Sequence, residues 1–212
     1  MNYLELINKC LVELNFKQVN AFSELNKNEH KKLKNIINII NSEICISDKW
    51  NFLLRKKNLV LKKHSSEIEN TIDGRIETLL VDGVKYEYYE NFEEFFINNQ
   101  PSNTYSLFDN KILLPDFDKD KNVVVLYYTK NCAKDKLKNE KYKLEDAEDE
   151  SLIPEPFVEP LIVYGACMRL KGNPQHVRFN YWFGMYKDAI LNMRSKIALS
   201  VDEIPSVRLY RQ

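Results

Sequence analysis

The sequence is poor in the residues from which phosphate-binding and metal-binding sites are usually built. It contains only 5 glycines and 3 histidines among 212 residues, and no glycine-rich phosphate-binding string occurs. The histidines, His30, His64 and His176, are far apart and lack acidic or cysteine neighbours at ligand spacing. This argues against a zinc site and against a histidine-activated nucleophile. We therefore expect no enzymatic activity and no cofactor.

The chain also lacks an excess of either charge. Lys and Arg total 31, Asp and Glu total 31, and the formal net charge is zero. A protein that grips nucleic acid with its whole surface needs a basic excess, so this class is disfavoured, although a local basic patch is compatible with the balance. No apolar stretch approaches the ~20 residues of a membrane span, and no signal-peptide pattern opens the chain. We expect synthesis in the cytoplasm and no membrane contact.

Cysteine pairs of the CxxC type are absent as well. Cys10, Cys45, Cys132 and Cys167 are far apart in the sequence, which excludes a local metal-binding or redox pair. Three of them fall within helical apolar patterns. We interpret the cysteines as small buried hydrophobic residues in a reducing compartment.

An acidic run at residues 116–120 resembles the opening of a calcium loop. Asp116, Asp118 and Asp120 stand at alternate positions. The sixth position of such a loop requires Gly and the twelfth Glu, but Lys121 and Tyr127 occupy them. We therefore interpret the run as an acidic turn and not as a metal site.

Apolar residues at helical spacing are present near both ends of the chain. Residues 3–16 and 26–48 carry such stripes at the front, and residues 155–171 and 179–197 carry them at the back. We expect these blocks to close into one bundle through contacts between distant parts of the chain. The predicted core includes Leu11, Ile37, Ile40, Leu161, Phe183 and Ile190. The predicted packing seam of the last helix is Phe179, Phe183, Tyr186, Ile190, Met193 and Ile197.

The middle of the chain is built of short β-favouring runs and turns. Residues 58–64 predict a first strand, and residues 122–130 are the clearest strand pattern in the chain. Asp82-Gly83 and Asp109-Asn110 each separate two β-favouring runs, which indicates two hairpins. We expect a small antiparallel sheet.

Together these patterns predict an α+β protein. We expect a discontinuous α-helical bundle made from both chain ends, an inserted small antiparallel β domain and an extended C-terminal tail. The expected boundaries are 1–55 for the first half of the bundle, 56–133 for the β domain, 134–153 for a charged linker, 154–200 for the second half of the bundle, and 201–212 for the tail.

The linker has an ordered charge pattern, with a run of lysines followed by a run of acids. It is either a solvated mobile loop or an interface that meets its own complement on a neighbouring copy. The candidate residues for this inter-subunit contact are Lys136, Lys138, Lys141, Glu145, Asp146, Glu148 and Asp149.

The C-terminal segment 201–212 is short and carries many apolar side chains for a solvated tail. Pro205 prevents the preceding helix from simply continuing. We expect the segment to dock on a partner as an extended chain. The candidate docking residues are Ile204, Val207, Arg208, Leu209, Tyr210 and Arg211.

Tyrosines near lysines on the predicted strands suggest a different function. Exposed rings on strands can stack the bases of single-stranded nucleic acid, but Tyr is also an ordinary strand former. The candidate residues are Tyr86, Tyr88, Tyr89, Tyr127 and Tyr128. A non-catalytic nucleic-acid-binding factor therefore remains an alternative.

Three stretches resemble one family. The opening YLELINKCLVEL, the WNFL that follows the second helix, and the closing IPEPFVEPLIVYGACMRLKGNPQHVRFNYWFGMYKDAILNMR are similar to the head-to-tail adaptors of short-tailed bacteriophages. These proteins are also called connectors or tail accessory factors. In this family a Pro-led helix, a Gly-Asn/Asp-Pro turn and an aromatic-rich helix close the fold. The resemblance covers both helical blocks, about half of the chain, and not the β insert.

The resemblance implies a structural virion protein at the junction of capsid and tail. Such adaptors commonly assemble as twelve copies beneath the portal protein, extend the DNA channel and offer a platform to tail or further ring proteins. DNA would pass through without sequence-specific binding, and the tail at 201–212 would grip the portal. Another tail or collar ring subunit of the same build is the alternative within this class.

Overall fold

The computed structural model describes residues 1–197, which form two compact units. Unit 1 combines Met1–Leu53 with residues 131–197, and unit 2 is the stretch Leu54–Lys130. The predicted mixture of helices and strands is confirmed. The helices are α1 (Tyr3–Glu13), α2 (Asn28–Ile46), α3 (Glu93–Phe96), α4 (Val158–Lys171) and α5 (Phe179–Ile197). The strands are β1 (Leu54–Leu61), β2 (Glu67–Glu69), β3 (Gly74–Val81), β4 (Val84–Tyr88), β5 (Thr104–Phe108), β6 (Lys111–Leu113), β7 (Lys121–Thr129), β8 (Ala133–Lys134), β9 (Glu140–Lys141) and β10 (Glu150–Ser151).

Local sequence signals fix the ends of two helices in unit 1. Asn2 precedes α1 and accepts a hydrogen bond from the Glu5 backbone N–H at 2.9 Å, while Glu5 accepts one from the Asn2 N–H at 2.9 Å. This reciprocal pair satisfies two backbone donors that the first turn would otherwise leave open. Gly172 ends α4 with a φ of +57°, and its N–H donates to the Met168 carbonyl at 2.8 Å.

Helix α4 packs against α1, α2 and α5. Gly165 allows the close approach, because a Cβ there would lie 3.1 Å from the Tyr186 ring and 3.2 Å from the Ile40 side chain. Four of the predicted core residues are buried as expected, namely Leu11, Ile37, Ile40 and Leu161.

The predicted seam of α5 is wrong in part. Phe183 is 51 % exposed and Ile190 is only half-buried, whereas the fully buried residues of the helix are Trp182 and Met193. The reason is the anchoring of Trp182, whose indole Nε1 donates to Glu13 Oε2 at 3.0 Å. Burying the indole of Trp182 removes more apolar surface from water than burying the Phe183 ring would, and its N–H keeps a hydrogen-bond partner. The helix therefore buries Trp182 in place of Phe183, while Met193 of the predicted seam is buried as expected.

Unit 2 is a seven-stranded sheet with the strand order β1-β7-β3-β4-β5-β6-β2. Contacts between β1 and β2 bring its two edges together, so the sheet is nearly closed. Both predicted hairpins are present, and their turn residues have positive φ angles, 48° and 83° for Asp82-Gly83 and 45° and 58° for Asp109-Asn110. The prediction of a purely antiparallel sheet is wrong at one place, since β4 and β5 run parallel.

Candidate interaction surfaces

The predicted linker 134–153 differs from the expected solvated loop, because it is a folded part of unit 1. It contains a small sheet with the strand order β10-β8-β9. Helix α2 holds this sheet through Asn41, which donates to the Cys132 carbonyl at 2.9 Å and accepts from Ser151 Oγ at 2.6 Å. Asn38 likewise accepts from the Leu144 backbone N–H at 2.8 Å. The buried amide of Asn41 and the partly buried amide of Asn38, both on α2, therefore fix the position of the segment.

Asp149 is the centre of this segment. Its side chain is 2 % exposed, and Oδ2 lies 2.8 Å from Lys141 Nζ. The same oxygen accepts hydrogen bonds from the backbone N–H groups of Glu145 at 2.7 Å and Asp146 at 2.9 Å. A buried carboxylate needs this kind of complete pairing to remain charged.

The pKa values follow from these contacts. Burial favours the neutral form of Asp149, but the Asp146 N–H, the Lys141 ammonium and the Glu145 N–H outweigh burial and lower the pKa of the carboxyl. The hydrogen bond to Asp149 raises the pKa of Lys141 above its usual range, against a smaller opposing effect of desolvation. Both groups are therefore charged at neutral pH.

The structure pairs six of the seven predicted linker residues with one another within one copy. Lys141 also lies 3.2 Å from Asp146 Oδ2 and 3.5 Å from Glu145 Oε2, and Lys136 lies 3.9 Å from Glu148. Lys138 occupies a turn with a φ of +67°. Many of these lysines and acids therefore pair with one another within the same copy. Their role between subunits stays a prediction.

The predicted docking residues of the C-terminal tail, 204 and 207–211, lie outside the described residues.

Unit 2 carries an exposed apolar surface that the sequence reasoning missed. We call it the acidic–aromatic patch and define it by Phe92, Phe96, Ile97, Leu107 and Phe108 together with Glu90, Glu93 and Asp109. The Phe92 and Phe108 rings are stacked with centroids 4.6 Å apart, and Phe96 meets Phe108 edge-on at 5.7 Å. Phe96 is 59 % exposed and Ile97 71 % exposed. Grouped exposed apolar side chains of this kind mark interaction surfaces.

The charge around the patch is of one sign. Residues 86–110 contain acids but no Lys, Arg or His. Among the described residues, none of these acids forms an ion pair; they are Glu87, Glu90, Glu93, Glu94 and Asp109. Elsewhere in unit 2, six carboxylates lie within 4.0 Å of a basic side chain, namely Glu67, Asp73, Glu77, Asp82, Asp116 and Asp120. Within residues 1–197, Glu69 and Asp118 of unit 2 also lack an ion pair, so five of its seven carboxylates without one lie in the segment that carries this patch. A run of acids interleaved with aromatics at 86–110 is the sequence signal that could have located it.

The tyrosines proposed as a base-stacking platform do not form one basic surface. Tyr86 is buried and faces the core of unit 2, and Tyr88 stacks edge-on against Tyr105 at 5.7 Å. Tyr86, Tyr88 and Tyr89 all belong to or adjoin the acidic segment 86–110. Negative charge repels phosphate, so this placement does not favour nucleic-acid binding.

The four cysteines are buried, as predicted, and each neighbours another cysteine. Cys167 Sγ donates to the Cys10 carbonyl at 3.8 Å, and the pKa of Cys10 is raised by burial and by the hydrogen bond with Cys167. The hydrogen bond with Cys132 and burial raise the pKa of Cys45. Buried thiols with raised pKa values, here Cys10 and Cys45, are poor nucleophiles, whereas the hydrogen bond with Cys45 lowers the pKa of Cys132.

Residues 1–197 contain no group of three or more His, Cys, Asp or Glu side chains placed to hold a metal ion. In the same part of the chain, no helix has the length and apolar character needed to cross a membrane. Compared with models of known protein families and with curated protein sequences, the chain matches none.

Proposed function

We propose that this protein is a structural virion protein, a head-to-tail adaptor that forms an oligomeric ring under the portal, extends the DNA channel and docks the tail. The observation that carries the proposal is a combination of features in one chain. A helical unit is made from both chain ends, and the intervening β unit exposes the acidic–aromatic patch. The resemblance of the sequence patterns in both helical blocks to those of phage adaptors is what supports an adaptor function for this architecture.

In this proposal the four long helices, α1, α2, α4 and α5, are the bundle of the adaptor. Copies of the chain, commonly twelve in such adaptors, surround the DNA channel. The tail at 201–212 docks on the portal or on a neighbouring copy, with its apolar residues in a groove and its arginines on carboxylates or carbonyls. The formal charge of zero suits a channel through which DNA passes without being held.

Exposed apolar side chains support an assembly role over an isolated soluble factor. On unit 1, Phe183 and Leu191 of α5 are each 51 % exposed, and on unit 2 the acidic–aromatic patch is exposed. A protein that works alone gains nothing from such surfaces and risks aggregation. A different tail or collar ring subunit would also need exposed apolar surfaces for assembly. Such a subunit is therefore the alternative within this class.

Sedimentation of the purified chain, alone and mixed with portal rings, tests the proposal. We expect the portal rings to recruit many copies of the 25.1 kDa chain into one large particle. Single-stranded and double-stranded DNA are added in parallel as the competing ligands. Recruitment by DNA and not by portal rings would replace the adaptor with the nucleic-acid-binding factor, and recruitment by other tail proteins alone would favour a tail or collar subunit.

A further inference from the structure

The acidic–aromatic patch requires a partner of defined chemistry. Its exposed rings and aliphatic side chains gain stability when an apolar partner covers them. Its unpaired acids, Glu90 and Glu93 among them, make a negatively charged partner unfavourable. The partner surface must therefore combine apolar groups with lysines or arginines, which can also lie over the faces of Phe rings.

Unit 2 contains such a surface on strand β1. Residues 54–64 include five basic residues and no acid, namely Arg55, Lys56, Lys57, Lys62 and Lys63. Along β1, Leu59 and Leu61 pack against the core, while Lys56 and Val60 are exposed, Val60 at 57 %. Side chains alternate between the two faces of a strand, so Lys56 and Val60 share the outer face of β1. Lys62 and Lys63 follow the end of β1 and are exposed, and Lys62 forms an ion pair with Asp120 at 3.2 Å. We call Lys56, Val60, Lys62 and Lys63 the basic strand surface.

The two surfaces lie on opposite sides of unit 2. In the strand order, β7 and β3 separate β1 from β4 on one side. On the other side, β2 and β6 separate β1 from β5, because the edges β1 and β2 are in contact. Strand β1 is therefore diametrically opposite the β4–β5 pair, which borders the acidic–aromatic patch. One copy cannot bring its own two surfaces together.

From this arrangement we propose that the acidic–aromatic patch of one copy binds the basic strand surface of the next copy. The inference rests on the proposed ring assembly and identifies one of its subunit contacts. A contact between two different surfaces of the same chain is heterologous. Because these surfaces lie on opposite sides of unit 2, each copy can bind a copy on either side, and the assembly closes into a ring when the rotation between neighbouring copies allows it. Phe96 and Phe108 cover Val60 and the lysine stems, and Glu90 and Glu93 face Lys56 and Lys63.

Paired charge reversal of the full chain tests this contact by sedimentation. The first variant carries Glu90→Lys and Glu93→Lys, and the second carries Lys56→Glu and Lys63→Glu. Each variant alone sets like charges against each other, so its association constant should fall at least about tenfold. Mixing the two variants restores opposite charges at every contact and should restore assembly. The association of the parent chain should weaken between about 0.01 M and 1 M salt, as the Debye length falls from about 30 Å to about 3 Å.

A matched control separates the loss of this contact from a general effect of net charge on assembly. Lys31→Glu with Lys32→Glu changes two exposed lysines of α2 and gives the same net charge as the second variant. This control keeps both surfaces intact and should assemble by itself like the parent chain, whereas the second variant should not. Melting curves establish that every variant folds.

The outcomes distinguish this inference from the proposed function. Parent assembly together with unchanged assembly of both reversed variants overturns the inference and leaves the ring intact. A loss of assembly by the control as large as that of the second variant also overturns it, because net charge would then explain the effect. A parent chain that stays at 25.1 kDa at all concentrations, with and without portal rings, overturns both proposals.

Discussion

Lys141 and Asp149 form an ion pair within unit 1, with Nζ 2.8 Å from Oδ2 and the aspartate side chain only 2 % exposed. The pair joins the two halves of the charged segment, since lysines precede and acids follow in the sequence. A pattern that suggests contact between copies is therefore used in part to fold one copy. Mutations of Lys141 and Asp149 are therefore expected to reduce the stability of unit 1.

Asp149→Asn should destabilise unit 1 by about 2–3 kcal/mol, because it leaves the Lys141 ammonium without its main buried partner. The control is Lys143→Met, which removes a 3.3 Å contact between Lys143 and Glu145, both more than half exposed. A surface pair of this kind contributes at most about 1 kcal/mol. Urea unfolding measures both variants, and equal small losses would contradict the structural role of Asp149.

The same pair predicts how stability depends on pH. The pKa of Asp149 is lower in the folded chain than in the unfolded chain, so between the two values the unfolded chain binds more protons. The stabilisation is complete above the unfolded value, about 4, and is lost as the pH falls through the folded value. Urea midpoints measured from neutral to acidic pH should fall less steeply for Asp149→Asn than for the parent. Identical slopes would show that Asp149 titrates normally.

Adjacent residues on α5 should differ sharply in their importance for stability. Trp182→Ala removes a fully buried ring and its hydrogen bond to Glu13 and should cost about 3–5 kcal/mol. Phe183→Ala truncates a half-exposed ring and should cost less than about 1 kcal/mol. Thermal or urea unfolding distinguishes the two, and a larger loss at Phe183 would restore the helix face predicted from sequence spacing.

Two helical glycines should respond in opposite directions to the same substitution. Gly184 has open space around it, so Gly184→Ala should stabilise α5 by about 0.5–1 kcal/mol through the better helix propensity of Ala. Gly165→Ala brings a methyl group within 3.1 Å of the Tyr186 ring and 3.2 Å of Ile40. Crowding there should outweigh propensity and cost about 1 kcal/mol or more. Stabilisation by both substitutions would contradict the close packing of α4.

Periodicity and turn chemistry predict a large part of this fold. The hairpins at Asp82-Gly83 and Asp109-Asn110 could be predicted because few residues adopt the required positive φ angles. Which residue of α5 is buried could not be predicted, because apolar spacing fits Trp182 and Phe183 equally well. The hydrogen bond to Glu13, which favours Trp182, is known only from the structure. Apolar spacing gives the period of a helix but not the neighbour it meets.

The candidate surfaces were harder to predict than the fold. Charge runs are visible in sequence, but their pairing depends on long-range contacts such as that between Asn41 and Ser151, which are 110 positions apart. The acidic–aromatic patch reads as ordinary strand and helix residues until the structure shows which rings are exposed. The charged segment is therefore visible in the sequence, but the partners of its charges are not.

Electron microscopy of the purified chain mixed with portal rings tests the central claim most directly. The account predicts an added ring of repeated copies, coaxial with the portal and surrounding an open channel. It also predicts that the copies touch through unit 2. Portal rings with no added density, while the chain sediments at 25.1 kDa in the same mixture, would contradict the assignment of this protein as a head-to-tail adaptor.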